Sequence, residues 1–219
     1  MLISGLAGMV NENAVEHGWW DEERGLPEVF ALIHSEWSEA LEEARDGKPL
    51  AYVNVTRKQT DENGKVTGFV PVIVERGTDG TYPVEDGDLQ DEHMKPEGIA
   101  VELIDGCIRI LDLIGQLKRG IMVKDKKRPM ETGDLIYGKK EEWTETSLAE
   151  LICILHEITA DALKPSKTYF EFEADMADLA TILRMVFSWI DAREIDPLAL
   201  LMEKHEYNRT RPYKHGKKF

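Results

Sequence analysis

The chain has 219 residues, with 27 Lys and Arg against 42 Asp and Glu, a formal net charge of −15. That balance argues against a nucleic-acid backbone as main partner, because neutralising phosphates needs a basic surface; a small anion held by a local basic cluster and a metal remains compatible with it. Hydrophobic residues make up 42%, enough for one domain with a real core and an elaborated insert, and no run approaches the roughly 18 apolar residues of a membrane span.

The opening MLISGLAGMVNENAVEHGWW lacks a basic n-region and a long h-region, so it does not read as a signal peptide. Residues 3–17 read as a helix stopped by Gly18. A second helix starts near Pro27 and runs through FALIHSEWSEALEEARDGK, until Gly47 and Pro49 end it. Its apolar stripe is Val29, Phe30, Ile33, Trp37, Ala40, Leu41 and Ala44. The period then changes: AYVNVTRK and FVPVIVE are β-type runs on either side of Asn63-Gly64, a hairpin signal. Residues 75–95 read as an acidic loop, so 50–96 form a hairpin and loop inserted outside the helices. Pro96 opens a long helix, PEGIAVELIDGCIRILDLIGQLKRG, and 121–145 read as a loop. SLAELICILHEITADAL follows, with Ser147 and Glu150 in capping-box spacing, then ADMADLATILRMVFSWIDAR. The last helix, DPLALLMEKHEYNRT, has Asp196 as N-cap and Pro197 in its first turn, and the tail RPYKHGKKF is basic. The expected fold is mainly α with an inserted β-hairpin, in a single domain over 1–219. Cys107 and Cys153 sit in apolar helical patterns without a CxxC, and read as reduced core thiols of a cytoplasmic protein.

Glu36 and Glu39 are three residues apart on the second helix, and Glu102 and Asp105 repeat that spacing on the helix after Pro96. Residues three apart share a helix face. Each pair borders strongly apolar positions, where a carboxylate costs free energy unless something neutralises it. Packing the two helices together would gather four carboxylates around one space. Hard oxygen donors select Mg²⁺ or Mn²⁺, and Mg²⁺ keeps waters and bridges to substrate phosphates. A di-iron carboxylate bundle needs Glu-x-x-His, and none of the six histidines has a Glu three residues before it. There is no Walker A glycine-lysine loop either.

Glu36-x-x-Glu39 followed by Glu102-x-x-Asp105 resembles the ExxE…ExxD signature of the MazG-like all-α nucleoside triphosphate pyrophosphohydrolases. The surrounding HSEWSEALEEARDGK and PEGIAVELIDGCIRILD, and the ending EKHEYNRTRPYKHGKK, carry the same resemblance. The inserted hairpin lengthens the gap between the motifs, and residues 121–195 separate the second motif from the tail. The resemblance implies a MazG-like helical bundle that assembles as a dimer or tetramer. It implies a Mg²⁺-dependent hydrolysis of a nucleoside triphosphate to the monophosphate and pyrophosphate, with Glu36, Glu39, Glu102 and Asp105 as catalytic metal ligands. A metal-activated water, deprotonated by one of these carboxylates, would attack the α-phosphorus.

Lys204 and Asn208 share one helix face and Arg211 lies at the helix end, a local basic cluster in an acidic chain. The resemblance implies that these three bind the triphosphate. Arg109 would reach phosphate or orient a carboxylate such as Asp112 or Glu102. For the nucleobase, an aromatic stack with an amide or imidazole partner is offered by Asn13, His17, Trp19 and Trp20, with Trp37 beside the metal motif. The competing expectation is a non-catalytic helical module that senses nucleotides.

Overall fold

The computed structural model describes residues 2–89, 94–119, 143–165 and 172–216. Helix α1 spans Ile3–Glu16 and α2 Leu26–Arg45; strands β1 (Tyr52–Thr60) and β2 (Val66–Glu75) follow, then α3 (Ile99–Arg119) and α4 (Leu148–Ala162). A short strand pair, β3 (Leu163–Pro165) and β4 (Phe172–Ala174), precedes α5 (Met176–Asp191) and α6 (Pro197–Arg209), and a 3₁₀ turn covers Tyr213–Gly216. The described residues are therefore mainly helical, with a two-stranded antiparallel hairpin.

Helix α3 is central: α1, α2, α5 and α6 all pack on it, and α4 packs on α2 and α5. Its apolar residues are buried on most of its circumference, among them Val101, Leu103, Ile104, Ile110 and Ile114, as befits a helix enclosed by others. Two glycines let neighbours approach closely. A Cβ at Gly106 would stand 2.2 Å from the Trp37 ring on α2, and one at Gly115 would stand 2.4 Å from Asn11 Cβ on α1. Trp37 is fully buried there, and its indole N–H donates to Thr159 Oγ1 on α4 (3.0 Å).

Helix boundaries follow their local chemistry. Ser147 and Glu150 form the reciprocal capping box that opens α4. Asp175 and Asp196 each accept two backbone N–H bonds at the starts of α5 and α6. Pro96 does not open α3, contrary to expectation. Glu97 instead exchanges both backbone bonds with Tyr52 (2.8 and 2.9 Å), and Gly98 turns the chain at φ +117° before the helix begins at Ile99. A Cβ at Gly98 would lie 2.7 Å from the Pro49 carbonyl, so glycine is required on both counts.

The hairpin pairs Tyr52 with Glu75 through Lys58 with Phe69, and turns over Asp61–Lys65 with Gly64 at φ +77°. Val53, Val55 and Val74 form a small core of their own. Its base is not detached from the helices: Ala51 belongs to the main core, and Arg76 and Tyr82 both donate to Glu203 on α6 (3.1 and 2.6 Å). Thr56 exchanges backbone bonds with Leu89 and so turns its amide away from β2. Its partner Pro71 thus directs its missing N–H towards the edge of β2 that faces away from β1, which is unpaired among the described residues, and this blunts that edge against pairing.

Two further expectations are corrected. Leu41 is 37% exposed, because α2 buries the narrower stripe Val29, Phe30, Ile33, Trp37 and Ala40. Cys107 is buried, but Cys153 is exposed, since α4 buries Leu151, Ile152, Leu155 and Thr159 on the other side. The β3–β4 pair was not among the expected elements, although the alternating TYFEFE of the sequence leads into β4. The expected loop over 121–145 lies outside the described residues except for 143–145.

Candidate metal centre

Helix α3 carries a polar stripe through its apolar surroundings: Glu102, Asp105, Arg109 and Asp112, at steps of three, four and three residues. These steps keep all four on one face. At its N-terminal end the stripe meets Glu36 of α2. One carboxylate oxygen each from Glu36, Glu102 and Asp105 lies within 4.8 Å of the others. Helix α2 presents Glu36 inward because Ile33, Trp37 and Ala40 around it are buried; Glu36 itself is 4% exposed. Glu39, one turn on, is exposed at the rim of this cluster.

Two cations face the carboxylates. Arg109 Nε donates to Glu36 Oε1, so its partner is across the helix interface and not Asp112 or Glu102. Lys204 of α6 places Nζ 2.9 Å from Asp105 Oδ2 and 3.2 Å from the Pro96 carbonyl. These two do not offset the crowding of negative charge. Burial raises Glu36 to about 7 in spite of Arg109, with Asp105 and Glu39 adding to the rise. Burial and the neighbouring Asp105 raise Glu102 to about 8, in spite of Lys204. Lys204 shows the complement. Burial opposes its charge, yet Asp105, Glu102 and Glu36 together hold its pKa above the usual lysine value. Concentrated, under-neutralised negative charge on hard oxygen donors is what a divalent cation relieves.

The other end of the stripe is closed by α1 and the α1–α2 connection. Asp112 accepts from Asn11 Nδ2 (2.7 Å) and Trp20 Nε1 (2.9 Å). Burial raises its pKa to about 6 against those two hydrogen bonds. Trp20 therefore has its N–H engaged and offers only its ring. His17 Nδ1–H donates to the Asn13 carbonyl (2.8 Å). The buried side-chain oxygens of Asn11, Asn13 and Asn208 have no hydrogen-bond partner among the described residues. The tail folds back to this end. The Tyr213 ring sits where a Cβ at Gly18 would be, its hydroxyl donates to Asp21, and Lys214 N–H donates to the His17 carbonyl (2.9 Å).

Of the residues singled out by sequence, Glu36, Glu102, Asp105 and Lys204 are brought together. Asn13, His17 and Trp20 lie on α1 or the connection that follows it. Asn208 and Arg211 are half-buried, on α6 and just after it, and Trp37 is core. Sequence reasoning missed Asn11, and it missed Arg109 as the partner of Glu36. The seven-residue steps Glu102–Arg109 and Asp105–Asp112 were the available signal that one polar stripe continues past the second motif.

Comparisons with protein-family models, with curated proteins and with solved structures find no match to this chain. Among the described residues, no helix is long and apolar enough to cross a membrane.

Proposed function

We propose that the chain is a Mg²⁺-dependent nucleoside triphosphate pyrophosphohydrolase with a MazG-like helical bundle, active as a homo-oligomer. What carries this reading is the convergence of Glu36, Glu102 and Asp105 from two helices, with oxygens within 4.8 Å of one another. Ligand oxygens around one Mg²⁺ stand about 3–4 Å apart at metal–oxygen distances near 2.1 Å, so the donor set fits with small side-chain adjustment. Mn²⁺ suits the same donors. When bound, such an ion neutralises phosphate charge and acidifies a coordinated water.

The chain's own residues then divide the work. Glu36, Glu102 and Asp105 hold the ion. Arg109 fixes the Glu36 carboxylate from outside, so Glu36 turns its remaining lone pairs inward. Glu39, exposed at the rim, accepts the proton of the attacking water. That water's oxygen forms a bond to the α-phosphorus as the bond to the bridging oxygen breaks, and pyrophosphate leaves. Lys204, Asn208 and Arg211 bind the triphosphate, and their charge-assisted contacts take up the negative charge of the leaving group. The ring of Trp20 and the unpartnered oxygen of Asn13 supply a stack and an acceptor for the base, with His17 beside them.

The test is pyrophosphate release from a panel of ribo- and deoxyribonucleoside triphosphates with Mg²⁺, in wild type, Glu39→Gln and Glu102→Gln. Release by wild type that both substitutions abolish is expected. No release from any nucleotide overturns the enzyme reading in favour of a nucleotide-sensing module, and a Glu39→Gln protein with wild-type turnover removes Glu39 from the mechanism.

A further inference from the structure

A lysine ammonium occupies the metal cluster. Lys204 is 3% exposed at its side chain, and its Nζ is 2.9 Å from an oxygen of Asp105, one of the three converging carboxylates. Glu102 and Glu36 also act on its charge. Its second contact is a neutral acceptor, the carbonyl of Pro96 at 3.2 Å. An ammonium buried this deeply is stable only while paired. Fully ionised, Glu36, Glu102 and Asp105 would set three negative charges against the two positive ones of Arg109 and Lys204. The two cations are not equivalent. Arg109 approaches Glu36 with a side chain that is 34% exposed, whereas Lys204 comes from within. A divalent cation held by Asp105 would lie close to Nζ, and like charges brought together in a half-buried site repel strongly.

We propose that Lys204 is the resident counter-charge of the site, bound to Asp105 in the ion-free protein and displaced from it when a divalent cation binds. Lys204 and the ion compete for one carboxylate. The competition weakens ion binding before substrate arrives, and an ammonium released from Asp105 becomes available to a phosphate oxygen. Ion and triphosphate uptake are thereby coupled through one side chain. This rests on the metal reading of the preceding subsection and goes beyond it, since a lysine that only bound phosphate would leave the ion's own affinity unchanged.

The experiment uses Mn²⁺ alone, without nucleotide, on the full chain, with free ion followed by electron paramagnetic resonance. Lys204→Met keeps the length of the side chain and removes its charge. It is expected to bind Mn²⁺ at least about tenfold more tightly than wild type, while Lys204→Arg stays near wild type and Asp105→Asn loses binding. Equal or weaker binding by a folded Lys204→Met protein overturns the competition and leaves the metal site standing. If neither wild type nor Lys204→Met binds Mn²⁺, the metal reading falls and the competition with it. A second measurement needs no substitution, and so does not depend on the variant folding. The buried ammonium of Lys204 gives a solvent-protected lysine Nζ resonance in the wild-type protein. Adding Mg²⁺ is expected to shift it or to abolish its protection, while surface lysines stay put; a resonance that does not respond to saturating Mg²⁺ overturns the displacement.

Discussion

Glu102 puts a number on what the acidic cluster costs the ion-free protein. Its pKa rises from 4.5 to about 8 through burial and the neighbouring Asp105. At about 1.4 kcal/mol per pH unit, that displacement corresponds to roughly 5 kcal/mol in full. A group whose folded pKa is raised contributes stability that is complete below its unfolded pKa and is lost as pH rises through the folded one. The window is therefore about pH 4.5 to 8, with the wild-type protein less stable at the alkaline end. Glu102→Gln removes the titrating group and keeps the shape. The remaining carboxylates relax and retain part of the repulsion, so about 2–4 kcal/mol is expected to be recovered at pH 8, and close to nothing at pH 4.5. The assay is urea unfolding in EDTA across that range, comparing wild type with the variant so that all other titrations cancel. Adding Mg²⁺ at pH 8 should reverse the order, because wild type gains the bound ion's linkage and the variant gains less. A variant that is less stable than wild type at pH 8 in EDTA would refute the argument that the site is strained by its own charge.

Other substitutions probe its surroundings. Arg109→Met leaves the buried Glu36 carboxylate without its partner; the guanidinium is partly exposed, so the loss should be about 1–3 kcal/mol above pH 7. That loss should shrink at pH 5, where Glu36 is protonated in either protein, and urea titrations at the two pH values check it. Gly106→Ala gains about 1 kcal/mol of helix propensity but drives a Cβ to 2.2 Å from the Trp37 ring. Overpacking of that kind costs typically about 1–3 kcal/mol, occasionally more, so a net loss of up to about 2 kcal/mol and an altered Trp37 fluorescence are expected. Replacing 57–68 with a short linker should leave the helical circular dichroism intact, because Ala51, Tyr52, Arg76 and Tyr82, which tie the insert to the helices, all lie outside the deletion. A protein that unfolds would show that the distal hairpin supports the fold.

The helices were legible because their caps and periods are local. Asp196 before Pro197, or Ser147 three residues before Glu150, names a helix start without reference to anything distant. The hairpin was equally plain in Asn63-Gly64 between two β-type runs. What stayed hidden depends on partners far apart in sequence. The start of α3 is displaced from Pro96 because Tyr52, over forty positions earlier, claims the backbone of Glu97. Arg109 finds Glu36 rather than a neighbour on its own helix, which no spacing along α3 could disclose. The inward position of Glu36 and the outward one of Glu39 likewise depend on where α3 and α4 press against α2. Lys204 was visible as a cation in an acidic chain; its place on Asp105 required the fold.

The contact between Trp37 and Gly106 has a meaning beyond packing. Trp37 follows Glu36 in the chain, and Gly106 follows Asp105. A close contact of α2 and α3 is thus made one residue away from a member of the carboxylate cluster on each side, and the gauge of the site is held by an indole resting where a methyl group would otherwise be. Positions 37 and 106 share a single volume, and neither can grow unless the other shrinks. In any lineage that keeps this site, the two should be inherited as a pair, a bulky ring opposite a bare backbone or a smaller side chain opposite a larger one. A change at one alone would alter the bite offered to an ion without touching any of the carboxylates that hold it.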